Sequence, residues 1–311
     1  MAAGERILVI KLSALGDFIQ ALGPFAAIRH HNPDASITLL TTAPFAGFAK
    51  AAPWFDTVLV DDRPRIFDFG GWLRLRGKLR SGGFARIYDL QTSGRSGFYF
   101  RLFWPDPKPQ WSGIARGCSH PHSNLERDRM HSLDRQREQL QLAGIEQVPE
   151  PDLSWINDKT TRVGTGGRYA ILVPGGAPHR LEKRWPAARF AALAAGLEAR
   201  DIRPVLVGNA DERSLLSEIA SACQDALNLG GETGLEELAG LARGAVLAVG
   251  NDTGPMHLAA VAGIPAVILF SAASEPNLCA PRGPKVTILR APSLDDLSLN
   301  AVEAAITALV P

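Results

Sequence analysis

The chain reads as an α/β protein built from two Rossmann-like domains, each a parallel sheet covered by helices. Three observations predict this. Short β-branched runs alternate with helix-spaced segments, the alternation restarts after a linker near the middle, and 311 residues are about twice what one ordinary core holds.

In the first half, "RILVI" (6–10) is a β-branched run and predicts the first strand. "DFIQALGPFAAIRHHNP" (17–33) follows as one helix, with Ile19, Leu22, Phe25 and Ile28 recurring every three residues. Strands are predicted at 36–42, 57–62 and 85–91. Between 105 and 130 the pattern fades into Pro, Gly, Ser, His and Arg and predicts a long loop. A helix returns at 134–145, and "EQVPEPDLSW" (146–155) reads as a linker.

The second half opens with the strand in "YAILVPGGA" (169–177) and a helix at 187–200. Further strands fall at 203–209, 227–231, in "AVLAVGNDTG", at 265–271 and at 286–290, with helices at 211–223, 235–243, 256–262 and 295–309. The expected domains are 1–160 and 161–311, with the last helix free to return to the first domain. Two such halves imply a cleft between them, with ligands at the carboxyl ends of the strands.

Bulk properties exclude several classes. The halves carry 20 Lys/Arg against 17 Asp/Glu and 13 against 15, so the basic excess of a nucleic-acid binder is missing. Cys118, Cys223 and Cys279 are scattered, with no CxxC, and read as thiols in a reducing cytoplasm rather than a zinc site. The apolar run Ile7 to Ile10 is too short for a signal-peptide core, and no stretch is long enough to span a bilayer.

The chemistry concentrates in "VGNDTGPMHLAAVAGIP" (249–265), where a strand hands over to a helix. A helix start leaves N–H groups unpaired at the positive end of its dipole, which makes an anion site. Thr253 adds a hydroxyl, Gly254 admits an anion close to the backbone, and Pro255 suits the first turn. Asp252 is then placed either to hold sugar hydroxyls or, like Thr253, to cap the helix. Gly16 and Asp17 occupy the corresponding place after the first strand, where a cap is again the plain alternative. "VPGGAPHRLEKRWPAARF" (173–190) puts Gly175 and Gly176 in a turn, followed by Lys183 and Arg184. No strand is followed by GxGxxG or by a GxxxxGK[ST] loop, which disfavours a dehydrogenase and a P-loop enzyme.

Together, "ILVIKLSALGDFIQALGPFAAIR", "YDLQTSGRSGFYFRL", "KRWPAARFAAL", "VLVGNADE" and "VGNDTGPMHLAAVAGIPAVILF" resemble the lipopolysaccharide heptosyltransferase family, glycosyltransferase family nine, over nearly the whole chain. The resemblance implies the two-domain GT-B fold and inverting transfer of a sugar, usually from ADP-heptose, with no metal and no cofactor. It implies Asp17 as the base, Lys183 as a donor-binding cation, and Thr253 and Gly254 as the diphosphate cradle. Asp252 is assigned to donor-sugar hydroxyls and His257 to the phosphate or sugar side. Gly175 and Gly176 approach the nucleotide, and Asp211 and Glu212 both stand open as the ribose contact. Either of these last two otherwise caps the next helix.

For the acceptor, the resemblance places Arg95 along the cleft. The segment from Arg63 to Arg101 holds nine Lys/Arg, including Arg63 and Arg76, against Asp68 and Asp89. With the aromatics of "FDFGGWLRLRGKLR" (67–80), it suits anionic lipid headgroups or an anionic glycolipid; the plain alternative is a solvated helix face. "CSHPHSNLERDRMHS" (118–132) lacks a closed ligand spacing and reads as an acceptor loop rather than a zinc site. The expectation is a cytoplasmic transferase at the inner face of the inner membrane, adding heptose to the lipopolysaccharide inner core. The alternatives are another nucleotide sugar or glycan acceptor, or a binding protein that has lost transfer.

Overall fold

The computed structural model describes residues 4–105, 107–156, 167–177 and 179–310. The chain divides into two compact units, Met1–Trp155 and Ile156–Pro311. The boundary expected at 160/161 lies outside the described residues.

The first unit runs β1 (Arg6–Ile10), α1 (Leu15–Gln20), α2 (Leu22–His31), β2 (Ser36–Thr41), α3 (Ala43–Ala51), β3 (Thr57–Val60), α4 (Phe69–Ser81), β4 (Arg86–Asp89), α5 (Gly94–Tyr99), β5 (Gln110–Gly113), β6 (His120–Pro121) and α6 (Ser132–Leu142). Its six strands are parallel in the order β3-β2-β1-β4-β5-β6. β1 is central, and its residues 7 to 10 are wholly buried, as expected for a strand covered on both faces.

The predicted helix over 17–33 is two helices meeting at Ala21. Pro24 has no N–H to return to Gln20, so the ladder is interrupted there, and the Ala21 N–H closes the first helix on the Phe18 carbonyl instead. The segment expected as a long loop holds β5 and β6. Four and two residues are too few to show a period; β5 forms on the edge of β4, and β6 in turn on the edge of β5. The Ser119 hydroxyl adds to this by accepting from the Trp111 N–H at 2.7 Å.

The second unit runs β7 (Tyr169–Val173), α7 (Ala187–Glu198), β8 (Arg203–Leu206), α8 (Arg213–Ala220), β9 (Leu227–Asn228), α9 (Leu235–Gly244), β10 (Leu247–Asn251), α10 (Gly254–Val261), β11 (Ala266–Phe270), α11 (Pro276–Cys279), β12 (Val286–Arg290) and α12 (Leu299–Leu309). Its order, β12-β11-β10-β7-β8-β9, repeats the first unit's topology with every pair parallel. Leu172, Val249 and Leu269 pack with Trp185 and Phe190, whose rings meet edge-on at 4.9 Å. α12 buries Val302 and Ile306 in this same core.

Each sheet reverses its strand order once, between β1 and β4 and between β7 and β10. Such reversals open a crevice at the carboxyl ends of the strands, where doubly wound folds bind ligands.

Candidate functional site

At the β7/β10 reversal the buried Asn251 ends β10 and organises the loop after β7. Its amide donates to the carbonyls of Pro174 (2.8 Å) and Gly175 (3.1 Å), while its Oδ1 accepts from the Trp185 N–H at 3.0 Å. Both ends of a loop of more than ten residues are thus tied to one side chain. The Trp185 indole, donating to the Leu297 carbonyl at 2.8 Å, anchors the far end in the core.

That anchoring brings Lys183 to the start of α10. Its Nζ lies 2.9 Å from Asp252 Oδ2, which also accepts from the Ser274 hydroxyl at 2.7 Å. The two charged side chains are only 16% and 11% exposed, so water screens them little. Asp252 is therefore held by side chains rather than capping the helix. Thr253 stands at the N-cap position in an extended conformation, but its hydroxyl caps nothing and is buried without a hydrogen-bond partner among the described residues. An ammonium, an unengaged hydroxyl and a helix N-terminus converge here, and the arrangement suits phosphate oxygens. Gly254 opens that helix and His257 is buried on it. Gly250, just before the site, is required by packing, since a Cβ there would lie 2.6 Å from the Val173 Cβ and 2.8 Å from the Met256 sulfur.

Glu212 ties the neighbouring loops together. One carboxylate oxygen accepts from the Gly176 N–H at 2.7 Å, the other from the Asn209 N–H at 2.9 Å. Both oxygens are thus bound to backbone, and a Cβ on Gly175 would fall 2.1 Å from one of them. Asp211 beside it is exposed. Arg184 donates to the Gly176 carbonyl at 2.6 Å and fixes the same turn.

At the β1/β4 reversal of the first unit, Asp17 lies in the first turn of α1, half-buried, with the Ala14 N–H at a long 3.5 Å. The Gln91 side-chain oxygen accepts from the N–H groups of Leu12 (2.8 Å) and Ser13 (3.1 Å), shaping the loop that precedes it. Lys11 is buried and donates to the Leu90 carbonyl at 3.1 Å; burial lowers its pKa, partly offset by the charge of Asp17. Burial likewise raises Asp89 to about 6, although its Oδ1 accepts from the N–H groups of Gln91 and Thr92.

Of the arginines singled out for an acceptor, Arg76 donates to the Leu102 and Trp104 carbonyls at 3.1 and 2.8 Å. Arg95 donates to the Pro64 carbonyl at 3.2 Å and lies over the Trp72 ring. Both brace the first unit, whereas Arg63 is exposed. The histidines of 118–132 serve separate ends: His120 bonds Ser119, His122 is buried 3.7 Å from Glu138, and His131 caps α6. Among the described residues no three His, Cys, Asp or Glu are grouped to hold a metal ion.

Asn251, Ser274, Gln91 and Lys11 were not anticipated as site residues. Each sits at or just beyond a strand's carboxyl end, which was the available signal, but all are ordinary residue types whose partners lie far along the chain.

Residues 72–301 match the model of glycosyltransferase family 9 (heptosyltransferase). Lipopolysaccharide heptosyltransferase 3 of Escherichia coli is 32% identical over 128 residues, a stretch spanning 39% of this chain and 37% of that protein. Two solved folds are similar over nearly their full length. The E. coli ADP-heptose lps heptosyltransferase II has a TM-score of 0.82 at 23% identity, covering 98% of both chains. The E. coli heptosyltransferase WaaC with ADP has 0.80 at 22%, covering 98% of this chain and 100% of that one. The two six-stranded parallel sheets with their helices match the GT-B fold of those heptosyltransferase structures.

Proposed function

The chain belongs to glycosyltransferase family 9, and from that premise we propose that it is a glycosyltransferase moving heptose from ADP-heptose to the inner core of lipopolysaccharide, with inversion and without a metal ion. The observation that carries the reading is the Lys183–Asp252–Ser274 cluster at the start of α10, with the unpartnered Thr253 hydroxyl beside it. The solved relative WaaC, whose structure holds ADP, supports the choice of nucleotide.

In this reading the acceptor hydroxyl oxygen bonds to the anomeric carbon as the bond from that carbon to the diphosphate breaks on the opposite face. Asp17 takes the hydroxyl proton, and ADP leaves with the bonding electrons. Lys183, the Thr253 hydroxyl and the amides opening α10 meet the charge that grows on the diphosphate, the task a divalent ion performs in other transferases. Asp252 and His257 face the donor sugar and phosphates. Gly175 and Gly176 flank the nucleotide, with their loop held by Glu212, which leaves Asp211 as the carboxylate for the ribose.

Arg63 serves an anionic glycolipid acceptor, with Arg76 and Arg95 shaping that region through the carbonyls they hold. The enzyme works in the cytoplasm against the inner face of the inner membrane, as a peripheral protein; among the described residues no helix is long and apolar enough to cross a membrane.

Thermal unfolding with ADP, UDP or GDP, each with and without EDTA, tests the donor side, because a ligand of the folded state raises the midpoint. A rise with ADP alone, unchanged by EDTA, is expected. Preference for UDP or GDP moves the donor assignment, and no rise with any nucleotide overturns the binding site.

A further inference from the structure

Among the large apolar side chains of the first unit that stand in water are Ile66, Phe67, Phe69, Leu73, Phe98 and Trp104. Phe67 is 85% exposed and Ile66 78%. They belong to one region. Trp72 on α4 meets Phe98 edge-on at 5.2 Å, and Arg76, one turn on, holds the Trp104 carbonyl at 2.8 Å. Phe69 and Leu73 are four apart on α4 and so share a face.

The loop carrying Ile66 and Phe67 is braced from both sides. The Arg65 carbonyl accepts from the Asp68 N–H and the Trp72 indole, both at 2.9 Å, and Arg95 holds the Pro64 carbonyl. Asp68 in turn caps α4 through the Gly71 N–H at 2.7 Å. The apolar tip is therefore presented by a fixed loop, and its exposure is a property of the folded unit.

Charge decides what covers it. Arg63 and Arg65 flank the tip on the loop, Arg74 follows on α4 and Arg101 beyond α5; all are exposed, and none forms an ion pair among the described residues. A second copy of the chain docked by two-fold symmetry would set these cations against their own equivalents. A bilayer with anionic headgroups takes the aromatic and aliphatic tip below its surface and the guanidinium groups at headgroup level.

We infer that Ile66, Phe67, Phe69 and Leu73 form a wedge that inserts into an anionic lipid surface, with Arg65 and Arg74 binding its headgroups. This rests on the peripheral-membrane part of the proposed function and names the side chains that make the contact.

The test is sedimentation of the full chain with vesicles of phosphatidylcholine, alone or with about one third phosphatidylglycerol, without sugar or nucleotide. Binding is expected on the mixed vesicles, falling about tenfold or more in Phe67→Ser/Phe69→Ser as buried apolar area is lost. Arg65→Gln/Arg74→Gln is expected to erase the preference for anionic lipid. These side chains are exposed, so both variants should keep the wild-type melting midpoint and its shift with ADP, which separates failure here from failure of the transferase reading. Wild-type protein that ignores anionic vesicles overturns the inference, as does a Phe variant that binds equally well. A wild-type dimer in sedimentation velocity that the Phe substitutions dissolve also overturns it, by making a second copy the occupant.

Discussion

Lys183 and Asp252, 69 residues apart, form a 2.9 Å ion pair where β10 gives way to α10, and Ser274 closes on the same carboxylate oxygen. The pair holds an ammonium beside a helix N-terminus.

Lys183→Ala is expected to lower kcat/KM for the donor by roughly a hundredfold to a thousandfold, as for loss of one fixed group facing the developing charge. Nucleotide affinity should fall with it. The substitution also leaves Asp252 largely buried with Ser274 as its remaining partner, at a cost of about 1 to 3 kcal/mol. Steady-state kinetics and urea unfolding of the same preparation separate the two effects, and Asp252→Asn in the Lys183→Ala background should recover the stability without recovering the rate.

Asp17→Asn removes the carboxylate proposed as the base while keeping the size of the side chain. A kcat loss of roughly a hundredfold to ten-thousandfold is expected, with the ADP-induced melting shift unchanged. Near-normal turnover by a folded variant would remove Asp17 from the mechanism.

Glu212→Ala frees the Gly176 and Asn209 N–H groups together. The expected destabilisation is about 2 to 4 kcal/mol, read by urea unfolding, with weaker ADP binding because the loop bearing Lys183 loses its brace. Asp211→Ala should leave stability unchanged, since that side chain is exposed; a fall in ADP affinity is its expected signature.

Asp89 supplies a pH dependence. Burial raises its pKa to about 6 from 3.8, so the folded state holds a proton that the unfolded state has lost across that interval. Stability from this group is complete below pH 3.8, declines as pH rises to about 6 and is flat above, a total on the order of 2 to 3 kcal/mol. Asp89→Asn keeps an oxygen for the N–H groups of Gln91 and Thr92 and cannot ionise. Urea unfolding from pH 4 to 7 should show the declining component in the wild type and its absence in the variant.

The places of the candidate groups were legible in the sequence because strand ends and helix starts are local events. Gly-Asn-Asp-Thr-Gly after an apolar run marks the start of α10, and Gly-Asp after "RILVI" marks that of α1, without knowledge of any neighbour. β5 and β6 were illegible, since two to four residues carry no period and each is held by pairing to the strand beside it, β5 to β4 and β6 to β5. The arginines of the first unit were illegible in another way. Composition shows a basic segment, but not that Arg76 and Arg95 are bound to carbonyls while Arg65 and Arg74 face solvent.

The sequence by itself determined two α/β units, the alternation of their elements and the residue types waiting at the strand ends, because periodicity and turn chemistry act over a few residues. Only the tertiary structure decided which of those residues meet. The β7/β10 reversal brings Lys183 to Asp252 and Ser274, and Asn251 and Glu212 lock the connecting loops through hydrogen bonds spanning 36 to 77 residues. Such contacts follow from strand order, and strand order is set by how two whole sheets bury their faces rather than by any short stretch of chain.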